Sequence, residues 1–216
     1  MPKRVPRTRY FNIAVPCRHR KTRPRIDGVL KDWQKKYLLP DMVAVDGRNA
    51  FADFYLAWNE AGIYLAMDVK GKANPITVEE NQFWTADCLE VWFDMRDARA
   101  MHHASRYCHQ FVFLPPAGSK GKPLVRQVDI TRGPGKGQMH EPDGVSAAFK
   151  KTDSGYALEA AISAEALHGF DPVEHPRLGF TYHINDTHLG AQYWSVDKRF
   201  RFMDNPSMWG TVVLSE

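Results

Sequence analysis

Residues 82–97 read QFWTADCLEVWFDMRD, and from Cys88 onward the residue types alternate. Leu89, Val91, Phe93 and Met95 fall on one parity; Cys88, Glu90, Trp92 and Asp94 fall on the other. A period of two is the signature of a β-strand that buries one face. This second face sets a Trp between two acids, a pattern that meeting water alone does not require.

The same period recurs along the chain. FADFYLAW (51–58) and IYLAMDVK (63–70) flank NEAG, which reads as a hairpin turn with Gly62 free to take positive φ. CLEVWFDM (88–95), YCHQFVFL (107–114), LVRQVDI (124–130), VSAAFKK (145–151), GYALEAAI (155–162), LGFTYHIND (178–186), AQYWSV (191–196) and WGTVVL (209–214) continue it, and an opening strand is expected near YFNIAV (10–15). Helical signals are confined to VLKDWQKK (29–36) and to SAEALHGF (163–170), where Ser163 reads as an N-cap and Gly169 as a stop. The expected fold is all-β: an antiparallel two-sheet β-sandwich of immunoglobulin or jelly-roll type, with one or two short helices. No composition shift divides the chain. Residues 1–9 read as a basic tail and 10–216 as a single domain.

Charge and apolar runs narrow the class. Residues 1–25 hold nine Lys/Arg and no acid, so the remaining 20 Lys/Arg face 25 Asp/Glu. The basicity belongs to the entry segment rather than to a folded face, and no nucleic-acid partner is expected. No apolar run nears the roughly 18 residues of a membrane span. The basic N-terminus is followed by no apolar stretch of signal-peptide type, so no membrane association is expected, and the expected location is cytoplasmic or, for a chain whose export signal has been removed, undetermined. Cys17, Cys88 and Cys108 are too scattered for a disulfide framework or a zinc site and read as buried thiols.

Catalytic signatures are absent. There is no G-x-S-x-G, G-x-x-x-x-G-K-[ST], H-E-x-x-H or C-x-x-C, and GPGKG (133–137) joins no strand to a helix. Nine histidines complete no recognisable ligand set. Glu90 and Asp94 share a strand face but stand ~13 Å apart at ~3.3 Å per residue, beyond the carboxyl spacing of either glycosidase mechanism. The chain is therefore expected not to be an enzyme. What remains is aromatic and polar: Trp84, Trp92 and Trp194 in or beside strands, with Glu90, Arg106, His109, His183 and Asn185 read onto faces opposite the core. Flat apolar plates beside charged hydrogen-bonding groups suit a sugar, whose C–H face stacks on an indole while its hydroxyls seek donors and acceptors.

Several stretches taken in order resemble carbohydrate-binding module family 9. IDGVLKDW (26–33) resembles its opening turn, FYLAWNEAGIYLAMDVK (54–70) its first hairpin and FWTADCLEVWFDMRD (83–97) its most recognisable strand, followed by GYALEAAI, LGFTYHIND and WGTVVL. The resemblance spans about residues 10–214. It implies a β-sandwich that clamps a mono- or oligosaccharide between two tryptophans, without catalysis of its own, in polysaccharide breakdown beside a glycoside hydrolase acting in trans. By position, Trp84 matches the first clamp residue, Glu90 the acid six positions on, Arg106 the binding Arg and Asn185 the binding Asn. The second clamp Trp falls where this chain has Thr187, His188 and Leu189, so closure is assigned to Trp194 or His188. Trp92 is expected to pack beside the site. Some members hold structural calcium, for which Asp27, Asp87, Asp94 and Asp186 at strand ends are the candidates. The alternative within the same broad fold is a DOMON-like haem domain, with axial ligands drawn from Met67, Met95, His109 and His183.

Overall fold

The computed structural model describes residues 13–119 and 121–216. The expected tail 1–9, and the start of the first expected strand, lie outside the described residues. Every alternating stretch named above forms a strand: β1 (Ala14–His19), β2 (Ala52–Asn59), β3 (Gly62–Lys70), β4 (Cys88–Asp94), β5 (Cys108–Leu114) and β6 (Leu124–Val128) in the first half of the chain. After the two-residue β7 (Met139–His140), which is too short to show a period, come β8 (Val145–Lys151), β9 (Gly155–Ser163), β10 (Arg177–Asp186), β11 (Gly190–Trp194) and β12 (Gly210–Ser215).

The sheet differs from the expected two-sheet sandwich. Its strands form one hydrogen-bonded path, β7-β6-β5-β4-β10-β12-β1-β2-β3-β9-β8, with β11 paired to β10. The join is β1, which runs parallel to β12 with Ala14 opposite Thr211, and parallel to β2 with Arg18 opposite Ala57. Pro16, which lacks an N–H, falls where β1 pairs with β12 alone. Periodicity reports which residues face inward but not which strands adjoin, so this parallel seam is invisible in the sequence. The sheet curls until its two halves share one core. Phe54 of β2 stacks on Tyr182 of β10 at 4.2 Å, and Leu65, Met67, Val91, Phe93, Leu158 and Phe180 pack around them.

β10 changes neighbour partway along one edge, meeting β12 over Arg177–Phe180 and β11 over Tyr182–Asp186. The gap between β11 and β2 is bridged by a side chain. The Gln192 amide oxygen accepts from the Phe51 and Ala52 amides at 2.8 and 2.9 Å, and its nitrogen donates to the Ala52 carbonyl at 2.8 Å. The amide thus does for β2 what a neighbouring backbone would.

The expected helices are not formed. VLKDWQKK makes two single 3₁₀ turns, Leu30–Asp32 and Lys35–Tyr37, and SAEALHGF one, Ala164–Ala166, where Ser163 makes no side-chain cap. Segments this short do not sustain an α-helix alone, and tertiary anchoring decides their shape. The anchor in the first is Glu159, whose carboxylate accepts from the Trp33 indole at 2.7 Å, Gly28 N at 2.6 Å and Asp27 N at 3.1 Å. Burial raises the Glu159 carboxyl above its ordinary range, while these three donors pull it back down. Gly28 has φ +78° and lies against Phe149 and Lys150, where a Cβ would approach within 2.9 Å of backbone. The motif IDGVLKDW is thus a turn and an indole fastened to one buried carboxylate. Glu159→Gln sets an amide –NH2 where Trp33 or the backbone needs an acceptor. It is expected to lower unfolding free energy by roughly 1–2 kcal/mol, measurable as a urea midpoint shift.

The three cysteines are buried free thiols. Among the described residues no helix is long and apolar enough to cross a membrane.

Candidate functional site

Strand register defines the outward face of the β11-β10-β4-β5-β6 half. Tyr193 lies opposite His183, His183 opposite Glu90, Glu90 opposite Val112, and Val112 opposite Arg126. Paired residues project to one side, so these five form a row across the strands. At about 4.8 Å between neighbours the row is roughly 19 Å long. Glu90 at its centre is only 4% exposed and is held by two side chains. Gln110 donates to its Oε2 at 2.8 Å, and His183 Nδ1 lies 3.2 Å from its Oε1. In the neutral tautomer with its proton on Nδ1, His183 donates to the carboxylate and keeps Nε2 as an acceptor. That atom is buried and has no partner among the described residues. At the end of the row Arg48 donates to the Tyr193 hydroxyl at 2.6 Å and lies over its ring.

Trp84 stands above one end of this face. It sits on the 3₁₀ turn Phe83–Thr85, edge-on to Phe83 at 5.1 Å, and is 55% exposed. Phe83 is sunk into an apolar patch with Cys88, Val112 and Leu114, which fixes the base of the turn and leaves the indole outside. Burial and the neighbouring Glu90 together raise the Cys88 thiol well above its ordinary range. Asn185 Nδ2 donates to the Ala86 carbonyl at 2.6 Å, tying the end of β10 to this turn. Three residues on, His188 is exposed in the turn after β10.

Beneath both turns lies a buried ion cluster. The Lys72 ammonium, with its side chain 2% exposed, meets Asp87 Oδ2 at 2.8 Å and Asp186 Oδ1 at 3.1 Å. Thr187 Oγ1 is 3.3 Å away. The two carboxylates also accept backbone amides: Thr77 and Thr187 on Asp87, His188 and Leu189 on Asp186.

Three expected placements change. Trp194 is fully buried on the core face, opposite Tyr182 and 5.5 Å from Phe180, because the β10·β11 register turns it inward. It is not presented to a ligand. Arg106 precedes β5 at the opposite end of the strands, bonded to the Tyr107 hydroxyl at 2.8 Å. With Asp94 opposite Cys108 and Glu90 opposite Val112, six residues separate Arg106 from the Glu90 row, about 20 Å at 3.3 Å per residue. The cation in that row is Arg126, which bonds Glu80 at 3.0 Å. His109, opposite Phe93, faces the core side and bonds the His168 carbonyl; burial lowers its imidazole below the ordinary range. Trp92 is fully buried on the outward face under Phe202, 5.1 Å away, covered by a separate apolar cluster with Trp209 and Val196.

Of the residues considered for haem, Met67 and Met95 are core side chains and His109 shares their side of the sheet with its ring bonded to the His168 carbonyl, whereas His183 is on the other side against Glu90. The four strand-end acids considered for calcium each have protein partners: Arg25 for Asp27, Lys72 for Asp87 and Asp186, and the Arg96 and Ala98 amides for Asp94. Among the described residues no group of three or more His, Cys, Asp or Glu is placed to hold a metal.

Gln110 and Arg126 were not legible as site residues, since their place depends on long-range register. His183 and Tyr193 carried only their parity as a signal.

An all-β fold that sets an exposed indole at the approach to a braced carboxylate, itself bonded to an imidazole with one open ring nitrogen, is suited to holding a ligand. The family model described as carbohydrate family 9 binding domain-like matches residues 26–216, and the chain belongs to that family. Two solved structures of a family 9 module from Caldicellulosiruptor kristjanssonii are similar. The one in complex with cellotriose has a TM-score of 0.67 at 15% identity, covering 94% of this chain and 93% of that one. The one in complex with glucose has a TM-score of 0.61 at 16% identity, covering 94% and 95%. A structure described as a putative carbohydrate-binding protein from Bacteroides uniformis aligns with a TM-score of 0.54 at 13% identity, covering 94% and 98%. No curated protein matches the chain.

Proposed function

We propose that the protein is a non-catalytic carbohydrate-binding module. The observation that carries the reading is Glu90, held by Gln110 and His183 on the outward face, with the exposed Trp84 on the turn that leads into the same strand. A sugar ring stacks on the Trp84 indole, which gives a broad apolar plate with little conformational freedom to lose. Glu90 accepts hydroxyl protons, and a charged acceptor held by two neighbours forms stronger, better aimed hydrogen bonds than a mobile one. His183 Nε2 accepts a further hydroxyl. Asn185, its amide committed to the Ala86 carbonyl, positions the Trp84 turn. Of the two residues nominated to oppose Trp84, His188 takes the role, being exposed on the turn tied to that of Trp84, whereas Trp194 is in the core. Arg126 replaces Arg106 as the cation near the ligand. The family membership and the relatives' complexes with cellotriose and glucose support a saccharide ligand. The module serves polysaccharide breakdown beside a glycoside hydrolase acting in trans.

Calorimetric titration with glucose and cellotriose, followed by a glycan array, tests the reading. Glu90→Gln keeps the shape but loses the charge, and is expected to weaken binding about tenfold, equivalent to ~1.4 kcal/mol. A wild-type protein that binds no saccharide on the array would overturn the assignment.

A further inference from the structure

We infer that Lys72 is the positioning residue of this site: its ammonium is an internal cation that fixes the spacing between the Trp84 turn and the His188 turn. The inference rests on the saccharide reading above for its effect on affinity, but its geometry stands by itself. Three separate segments meet at one nitrogen. Lys72 follows β3; Asp87 ends the Trp84 turn and leads into β4; Asp186 closes β10 just before Thr187 and His188. Asp87 and Asp186 are fully or almost fully buried; Asp87 accepts the Thr77 amide on Oδ2 and the Thr187 amide on Oδ1, whereas Asp186 accepts the His188 and Leu189 amides on the same Oδ1 that faces Lys72, and its Oδ2 has no partner among the described residues. Asp87 thereby grips Thr77, ahead of the Trp84 turn, and Thr187, at the start of the His188 turn, while Asp186 shapes the His188 backbone. Without the ammonium two carboxylates would face each other in a low-dielectric setting, where like charges repel strongly and separation of the turns is the available relief. The cluster touches no proposed ligand group, so Lys72 acts through Trp84 and His188.

The Asn185–Ala86 bond is a second tie between the same turns. It is neutral and on the outer side of the cluster, so it limits how far the turns part but does not offset the charge repulsion.

The test compares wild type with Lys72→Met by hydrogen exchange and by calorimetry with cellotriose. In a Lys72→Met protein shown folded by near-ultraviolet circular dichroism, the Thr77, Thr187, His188 and Leu189 amides are expected to exchange about tenfold faster, with β3·β9 amides unchanged. Cellotriose affinity is expected to fall about tenfold as the clamp loosens. Wild-type protection in the turns, a uniform rise in exchange across the whole sheet, or looser turns with undiminished affinity would each overturn the inference. If Lys72→Met does not fold, Lys72→Arg replaces it, keeping the charge on a bulkier planar head. Faster exchange confined to those four amides supports the inference, and wild-type exchange overturns it. If wild type itself binds no saccharide, the clamp reading fails, while the exchange pattern alone still decides whether Lys72 spaces the two turns.

Discussion

Lys72→Met is expected to lower the unfolding free energy by about 3–5 kcal/mol, the range for removing one partner of a buried ion pair. The penalty comes from what stays behind. Asp87 and Asp186 remain sealed from water with the cation that faced both of them gone. A domain of ordinary stability, about 5–15 kcal/mol, survives this at 25 °C but melts early, and guanidinium or urea midpoints read the loss directly. Because the damage is an uncompensated charge rather than a lost contact, Lys72→Met combined with Asp186→Asn should recover part of it. Two sites in one network are coupled, and the double-mutant cycle measures how strongly. A loss below 1 kcal/mol in the single variant would mean that water reaches the cluster.

Trp84→Ala is expected to reduce saccharide affinity by 2 kcal/mol or more, roughly thirtyfold, with an unchanged melting temperature. The separation of the two effects follows from burial. Phe83 anchors the turn in the patch with Cys88 and Val112, whereas the Trp84 indole is mostly outside it. The variant therefore loses a plate and not a foundation. Equal affinity for mutant and wild type in calorimetry would remove Trp84 from the site, and a large drop in melting temperature would recast it as a packing residue.

Local period made the strands legible. Leu89, Val91, Phe93 and Met95 are in the main core, as their alternation requires, and eleven strands were evident from the same rule. Features decided by pairing between distant strands were not. The parallel β1 seam leaves no local mark, so one curled sheet reads as two. Trp194 shows the same limit at a single residue: its side chain follows the register against β10, which places it opposite the core residue Tyr182. Within the site, Trp84 and Glu90 lie six positions apart and could be read together. Gln110 reaches Glu90, and Arg126 joins its row, only across strand pairings, and a plausible cation in the sequence, Arg106, belongs to the other end of the strands. Lys72 resembled any solvated lysine after a strand, because nothing local announces that Asp87 and Asp186 enclose it. Trp92 stood out in the sequence for its neighbours, yet it lies buried under Phe202, and the exposed indole is Trp84.

The parallel seam also bears on how the molecule is made. Ala14 and Thr211 are partners, so the curled sheet cannot close until nearly the whole described chain is available. Pairings between such distant segments bear a large loop-closure entropy and form slowly. On a ribosome, β2·β3 and β4·β5 can assemble as hairpins while β1 waits with its edge uncovered for β12. Waiting edges of that kind are where nascent chains join one another by mistake.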